Sequence, residues 1–537
     1  MSSNLKFFSV LFLILVLLFS TIAQTFTSSN LPLVTINTNG QTIKDDPKVT
    51  VDMGIIWNGP GKRNTLSDPK NNYAGKVGIE IRGSSSQYFF PKKSYGFETK
   101  SNSLVDIDVS LLGMPEENDW ILYAPYTDKT MIRDVLTYTL DASLGHWSPR
   151  CRFVELFLNG SYEGVYVLME KIKRNKNRVD IAKLTTTDNA GEALTGGYIV
   201  KIDKTTGGGG EGWSSNYSNI VGRTFYQYDY PKSKEITTVQ KSYIQTYIRL
   251  MENALYQEVF NFPGNYHEYL NDSSFIDFMI INELAKNVDG YRLSSYLYKG
   301  KNDRINCGPI WDFNLTYGNA DYYNGWSTFG FQYQAYLGAD YWQNPFWWNK
   351  LMRDPAYVNK LKKRWTTLRK KELSDQRITF VIDSLTSLIA EAKDRNYQRW
   401  PILGVKVWPN YYVGNNYASE VSWMKNWITS RLAFLDQQWP YEFTSNENQL
   451  ADQSISIFPN PFNDRLTVQI ASIFNDKGTA EIFSSGGILI RKQNIDIQNG
   501  QIQLDFSGNK SLIPGIYILR INQNNRILFT AKVVKRP

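Results

Sequence analysis

The chain has 537 residues, 42% of them hydrophobic and 14% aromatic, which is too long for one compact domain and suits two or three with a sizeable core. Its 59 basic and 51 acidic residues leave a mild, dispersed charge of +8, which fits anionic ligands but gives no ground for a nucleic-acid partner. His146 and His267 are too few for a histidine-rich zinc site and lie in no triad-like motif, so both read as structural.

The first 23 residues read as a secretory signal: Lys6 supplies charge, residues 7–19 an apolar stretch, and Thr21-Ile-Ala23 a small-residue exit. That stretch is short for a bilayer span, and no other segment is long and apolar enough. The mature chain is therefore expected to be exported without a transmembrane segment. The two cysteines, Cys151 and Cys307, are free to pair or not as far as sequence goes.

Strands are predicted at residues 31–37, 49–56, 77–82 and 93–98, with a turn-rich Gly83-Ser-Ser-Ser-Gln87 before the last. Apolar residues at helical spacing (Ile132, Val135, Leu136, Leu140, Leu144) predict a helix over 131–144, with Gly145 as its stop. Residues 152–158 and 164–170, joined through Asn159-Gly160, carry a hairpin signal. A further strand is expected at 196–203 and a flexible loop at 207–210. Helices are expected at 236–256, at 273–286 and over most of 355–439. A β-rich first part followed by an α-rich second part indicates an α+β fold with two lobes. Residues 441–455 read as a polar linker, and 456–537, with short strands and Gly, Asn and Asp turns, as a small β-sandwich.

The chemistry centres on two aspartates 23 residues apart. Asp289 follows the helix-like run that begins at Phe275, and Asp312 sits in Gly308-Pro-Ile-Trp-Asp312-Phe-Asn314, with a strand-like Ser295-Tyr-Leu-Tyr298 between. Helix, acidic turn, strand, acidic turn suits phosphoryl transfer, in which one carboxylate accepts a hydroxyl proton and the other holds a metal that bridges phosphates. Such a site also needs a cation and a loop over the phosphates. Arg82, Gly83 and then Lys92-Lys93 on an outgoing strand supply candidates. A solvated strand edge accounts for Lys92-Lys93 equally well, and Asp289-Gly290 also reads as an ordinary turn.

These stretches resemble the CotH kinase family, the spore-coat-protein-H-like atypical protein kinases. The matching segments are Ile81-Arg-Gly-Ser-Ser-Ser, Pro91-Lys-Lys-Ser-Tyr-Gly-Phe, residues 118–134, residues 158–172, Arg178-Val-Asp180, residues 196–203, residues 275–290 and residues 308–319. The resemblance covers about residues 30–440. It implies a kinase-like fold, with a β-rich N-lobe and an α-rich C-lobe, that moves the γ-phosphate of ATP to Ser or Thr of a surface or secreted protein with Mg²⁺. By that resemblance Asp289 is the catalytic aspartate, Asp312 a metal ligand, and Lys92 or Lys93 the phosphate-contacting lysine. Glu170 ends a strand where a nucleotide edge is possible, or is a paired surface carboxylate. Arg133 pairs with an acidic group near the phosphates or caps the Asp128 turn, and the basic run 171–178 docks an anion or is a solvated edge. Many members have Asp-Phe-Asp where this chain has Asp312-Phe313-Asn314. Asn314 still offers Mg²⁺ a carbonyl oxygen but removes one negative charge. That replacement, with the aromatic abundance, leaves a second reading: an inactive kinase-like module for surface binding or adhesion.

The C-terminal part resembles the sorting domain of the Bacteroidetes type IX secretion system. Ile457-Phe-Pro-Asn-Pro-Phe462, Ala480-Glu-Ile-Phe-Ser-Ser-Gly-Gly487, Leu512-Ile-Pro-Gly-Ile-Tyr-Ile-Leu-Arg520 and Lys532-Val-Val-Lys-Arg536 carry the likeness. It implies that the secretion machinery is a partner and that the destination is the cell surface or the medium.

Overall fold

The structure, a computed structural model, describes residues 26–205, 210–218, 221–261, 263–443, 455–470, 476–484, 489–507, 512–523 and 526–536. The signal segment expected at 1–23 and most of the linker expected at 441–455 lie outside the described residues. The chain divides into two compact units, one ending at Pro440 and the other beginning at Tyr441.

The first unit opens with seven strands: β1 (Leu33–Asn37), β2 (Val49–Ile56), β3 (Tyr73–Arg82), β4 (Ser94–Lys100), β5 (Asp119–Tyr123), β6 (Cys151–Leu158) and β7 (Ser161–Glu170). The first five run as an antiparallel meander, β5 pairs with β7, β7 with β6, and β6 closes on β1 in parallel, so the sheet is a closed barrel. Period-2 alternation turns Val51, Met53, Ile55, Val77, Ile79, Val154, Leu156, Tyr166 and Leu168 into one barrel core. Asn159 and Gly160 both adopt positive φ (51° and 80°), which the two-residue turn between β6 and β7 requires.

Helix α1 (Arg133–Ser143) lies between β5 and β6 in sequence. A second sheet has the order β12-β11-β8-β10-β9, with β8 (Tyr198–Ile202), β9 (Gly212–Ser218), β10 (Arg223–Tyr230), β11 (Ser295–Lys299) and β12 (Ile305–Cys307). Helix α2 (Thr238–Tyr256) begins with a reciprocal Thr237–Gln240 capping box. Helix α3 (Asp272–Ala285) is largely apolar and buried along its length, and its buried polar residues Asp277 and Glu283 are paired with Arg364 and Arg431. It stops at Lys286, whose left-handed conformation (φ 46°, ψ 59°) turns the chain into Asn287 and Asp289.

The stretch 355–439 resolves into four helices: α4 (Pro355–Arg369), α5 (Asp375–Leu388), α6 (Ala392–Arg399) and α7 (Tyr417–Gln438). Asp354 caps α4 with Pro355 in its first turn, and an Asn416–Ser419 capping box starts α7. Buried Arg431 on α7 pairs with buried Glu283 on α3 at 2.9 Å. Helix α6 packs on β7 at Gly164, where a Cβ would come within 2.5 Å of the Asn396 amide oxygen, so only glycine admits the helix this close.

The second unit holds a three-stranded sheet, β13 (Ile455–Phe458), β14 (Arg465–Ile470) and β17 (Gln501–Asp505), and a four-stranded sheet, β16 (Leu489–Ile497), β15 (Asp476–Ser484), β18 (Gly515–Gln523) and β19 (Arg526–Lys535). Leu466, Val468, Ile502 and Leu504 of the first share a core with Ile482, Leu519, Ile521 and Val533 of the second, as in a sandwich. The whole is a mixed α+β protein, with a barrel first, helices in the middle and small sheets last. Barrel closure, which leaves no free strand edge, went beyond the expected series of strands. Cys151 and Cys307 are both free thiols.

Candidate functional site

Asp289 sits just past the αL stop of α3. Arg292, only 3% exposed on its side chain, donates to one Asp289 oxygen at 2.8 Å, and the Tyr322 hydroxyl donates to the other at 3.3 Å. Arg292 is in turn held by Asp340 (2.9 Å) and lies over the Tyr323 ring. Both Asp289 oxygens thus have a donor, the second at the longer distance, and the side chain retains 22% exposure.

Asp312 follows β12 and adopts left-handed φ (65°), an uncommon conformation for a residue with a Cβ. Three side chains hold this backbone. The Tyr138 hydroxyl accepts from the Asp312 N–H (3.1 Å), Asp134 accepts from the Phe313 N–H (2.7 Å), and the Asn287 amide donates to the Asp312 carbonyl (3.2 Å). Asn287 also accepts from the Asp289 N–H (3.2 Å), so one side chain touches both acidic turns.

The electrostatics tie the two turns to two further acids. Burial pushes the Asp312 carboxyl up to about 8, helped by the charges of Asp134, Asp289 and Asp203 and opposed by Arg82. Burial likewise lifts Asp134 to about 6, which its bond from Phe313 N–H partly offsets. Asp203 stands just past β8, whose last residue, Ile202, pairs with Ser295 of β11. Arg82, at the end of β3, has its guanidinium lowered by burial and lies 5.7 Å from the Trp311 ring centre. The charges of Asp134, Asp289 and Asp203 thus bear on Asp312 against that of Arg82, and one Asp134 oxygen is buried with no hydrogen-bond partner among the described residues. Among those residues no group of three or more His, Cys, Asp or Glu side chains is placed to hold a metal alone. That donor set fits Mg²⁺, which takes one or two carboxylates and completes its shell with phosphate and water. Asn314 lies beside the Tyr123 hydroxyl.

The other sequence candidates go elsewhere. Lys92 is 3% exposed, and its ammonium donates to the Val165 carbonyl (2.6 Å) and the Asn396 amide oxygen (2.9 Å), over the Tyr166 ring. Burial lowers it to about 7. It fastens the barrel to α6. Lys93 donates to the carbonyls of Gln87 and Phe90, both at 2.6 Å, and closes the loop after Gly83. Neither lysine bonds any of these four acids, because each satisfies its ammonium locally. Glu170 is fully buried and accepts from the Arg150 guanidinium (2.8 Å) and backbone N–H (3.0 Å), with Arg178 at 3.8 Å, so it is a paired structural carboxylate. Arg133 bonds Asp128 and the Thr316 carbonyl (3.0 Å), which makes it the cap of the Asp128 turn. In the basic run, Lys171 and Lys173 pair with Asp119 at 3.2 and 2.8 Å, and Lys173 with Glu117 at 2.8 Å.

Sequence reasoning gave no role to Asp134, Tyr138, Asp203, Asn287 or Arg292. Asp134 and Asp203 are the last residues of two of the family-like stretches; Asp134 stands in the first turn of α1 and Asp203 just past β8. That was the available signal.

Residues 79–435 match the family described as CotH kinase protein, and residues 456–536 match the secretion system C-terminal sorting domain. The first match spans more than half of the chain, so the protein belongs to the CotH kinase family. Its sorting domain directs it to secretion or the cell surface. No curated protein matches the chain. Among solved structures, Pseudomonas fluorescens alkylpurine DNA glycosylase AlkC, bound to DNA containing an abasic site analog, matches at 11% identity with a TM-score of 0.12. That match covers 36% of this chain and 56% of the glycosylase chain, and it carries no argument about fold or function. No described helix is long and apolar enough to cross a membrane.

Proposed function

We propose that this chain is a secreted protein serine/threonine kinase with a two-lobed kinase-like catalytic unit at about 30–440, using ATP and Mg²⁺. The observation that carries the reading is that Asn287 bonds both the Asp289 and the Asp312 turns in a chain of the CotH kinase family, with Asp134 and Asp203 adding negative charge at Asp312 and Arg82 opposing it. Bound ATP would supply the phosphoryl group, and Mg²⁺ the positive charge between its phosphates and these acids. Asp312 would hold the metal, with the uncharged Asn314 carbonyl oxygen two residues on. Arg82, whose charge opposes that of Asp312, would contact the phosphate oxygens. Asp289 takes the proton of the acceptor hydroxyl: Arg292 orients one oxygen, and the other, held only by the longer Tyr322 contact, receives the proton. The protein substrate is a polypeptide carrying Ser or Thr, and the second unit engages the secretion machinery.

The test incubates the purified protein with labelled ATP and Mg²⁺, alone and with secreted proteins of the same cells. The expected result is labelled polypeptide, reduced at least ~100-fold by Asp289→Ala. No label on any protein, together with no nucleotide-induced rise in unfolding temperature, defeats the reading.

A further inference from the structure

We infer that Tyr138, Asp134 and Asn287 are positioning residues that set the spacing and orientation of the two acidic turns. This inference rests on the reading of Asp312 as the metal ligand. It starts from the backbone. Asp312 holds a left-handed φ of 65°, which a residue with a Cβ keeps only where its surroundings over-determine it. The peptide groups on both sides of its Cα are gripped by side chains from two helical segments. Tyr138 and Asp134 lie one turn apart on α1, so both project from the same face of that helix. Their hydroxyl and carboxylate take the consecutive N–H groups of Asp312 and Phe313, and the Tyr138 hydroxyl donates to Asp134 at 3.3 Å. Asn287 grips the same residue from the other side through its carbonyl and reaches the Asp289 N–H with its remaining oxygen.

All three side chains are 5% exposed or less. At the turns they touch only backbone, so none of the three occupies the Asp289 or Asp312 carboxylate. The Arg133–Thr316 carbonyl bond (3.0 Å) and the Thr137–Tyr317 hydroxyl pair (2.9 Å) extend the same docking of α1 along the segment after Asp312. A shift of α1 would therefore carry the metal-ligand turn with it, whereas Asn287 ties that turn to the Asp289 turn.

The test measures binding of ATP to the full chain by calorimetry, across a Mg²⁺ titration and in EDTA, for the wild type, Tyr138→Phe, Asp134→Ala, Asp134→Asn and Asn287→Ala. Each loss of a backbone grip is expected to raise the Mg²⁺ concentration at half-effect roughly five- to tenfold, and the two that remove no charge, Tyr138→Phe and Asn287→Ala, to leave metal-free ATP binding within about twofold. Asp134→Asn keeps an oxygen for the Phe313 N–H and is expected to restore most of the wild-type half-point. If the folded variants keep the wild-type half-point while only their melting temperatures fall, the three residues merely support the fold and the inference is overturned. Should Asp134→Ala or Asn287→Ala not fold, Tyr138→Phe, which removes a single oxygen, decides. A wild type whose ATP binding ignores Mg²⁺, or an Asp312→Ala variant that responds to Mg²⁺ normally, overturns the metal-ligand reading and this inference together. Unaltered variants beside a responsive wild type overturn this inference alone.

Discussion

Replacing Asp312 with asparagine is predicted to stabilise the metal-free protein while abolishing its response to Mg²⁺. The native carboxyl titrates near 8 and its unfolded reference near 3.8, because burial and three neighbouring acids oppose its charge. Between those values the native state holds a proton that the unfolded state has lost. Stability therefore falls as pH rises through that window. At pH 7 the interval from 3.8, at about 1.4 kcal/mol per pH unit, sets a ceiling of about 4 kcal/mol. Asp312 is only partly shielded from water, so roughly 2 kcal/mol is the expected cost. Asparagine resembles the protonated acid and avoids it. In EDTA at pH 7–8 the Asp312→Asn variant should melt about 2–3 °C above the wild type, given the unfolding entropy of a unit of this size. The gap should close as pH falls toward 4, where both forms are neutral. With Mg²⁺ and ATP the order should invert, since the wild type gains ligand stabilisation and the variant does not. Differential scanning calorimetry at four pH values, with and without Mg²⁺–ATP, reads all of this. A variant less stable than the wild type in EDTA at pH 8, or a gap that persists at pH 4, refutes the electrostatic argument.

Three further outcomes are expected. Arg82→Met should weaken ATP–Mg²⁺ binding about tenfold, a charge-assisted contact being worth roughly 1.5–3 kcal/mol, whereas Lys92→Met should leave nucleotide affinity unchanged and cost about 1–3 kcal/mol of stability by removing the ammonium's bonds to the Val165 carbonyl and the Asn396 amide oxygen, the latter keeping only the Val165 N–H; calorimetric titration and thermal melts separate the two. Arg431→Met leaves fully buried Glu283 without its counter-ion and should cost about 3–5 kcal/mol, read as a drop of roughly 4–6 °C in melting temperature, with Glu283→Gln/Arg431→Met milder than the sum of the single changes. Truncation after Glu442 should leave the protein inside the cells that make it, and normal secretion of the shortened chain, followed by immunoblotting of medium and cells, would contradict the role given to the second unit.

Much of this protein follows from local sequence rules. Period-2 apolar runs specify β2, β3 and the β6–β7 hairpin, because alternate side chains must face one core and Asn159-Gly160 tolerates positive φ. The largely apolar run of α3, stopped at Lys286, places Asp289 on a turn, and the order of motifs carries the family and the second unit. What sequence left open was where each charge goes. Lys92 and Lys93 look like phosphate ligands in a linear reading, yet Asn396, 304 residues from Lys92, and the carbonyls of the Gly83 loop take their protons. Glu170 finds Arg150 across the β6–β7 pairing, a partner that only the strand register supplies. The grips on Asp312 come from Tyr138, 174 residues away, and from Asn287, 25 residues away. Hydrogen bonds and desolvation are set by distances in space, so the sequence alone placed the two aspartates on turns. Only the packing of α1 against the Asp312 segment, and of β8 beside β11, decided that the charges of Asp134 and Asp203 bear on Asp312.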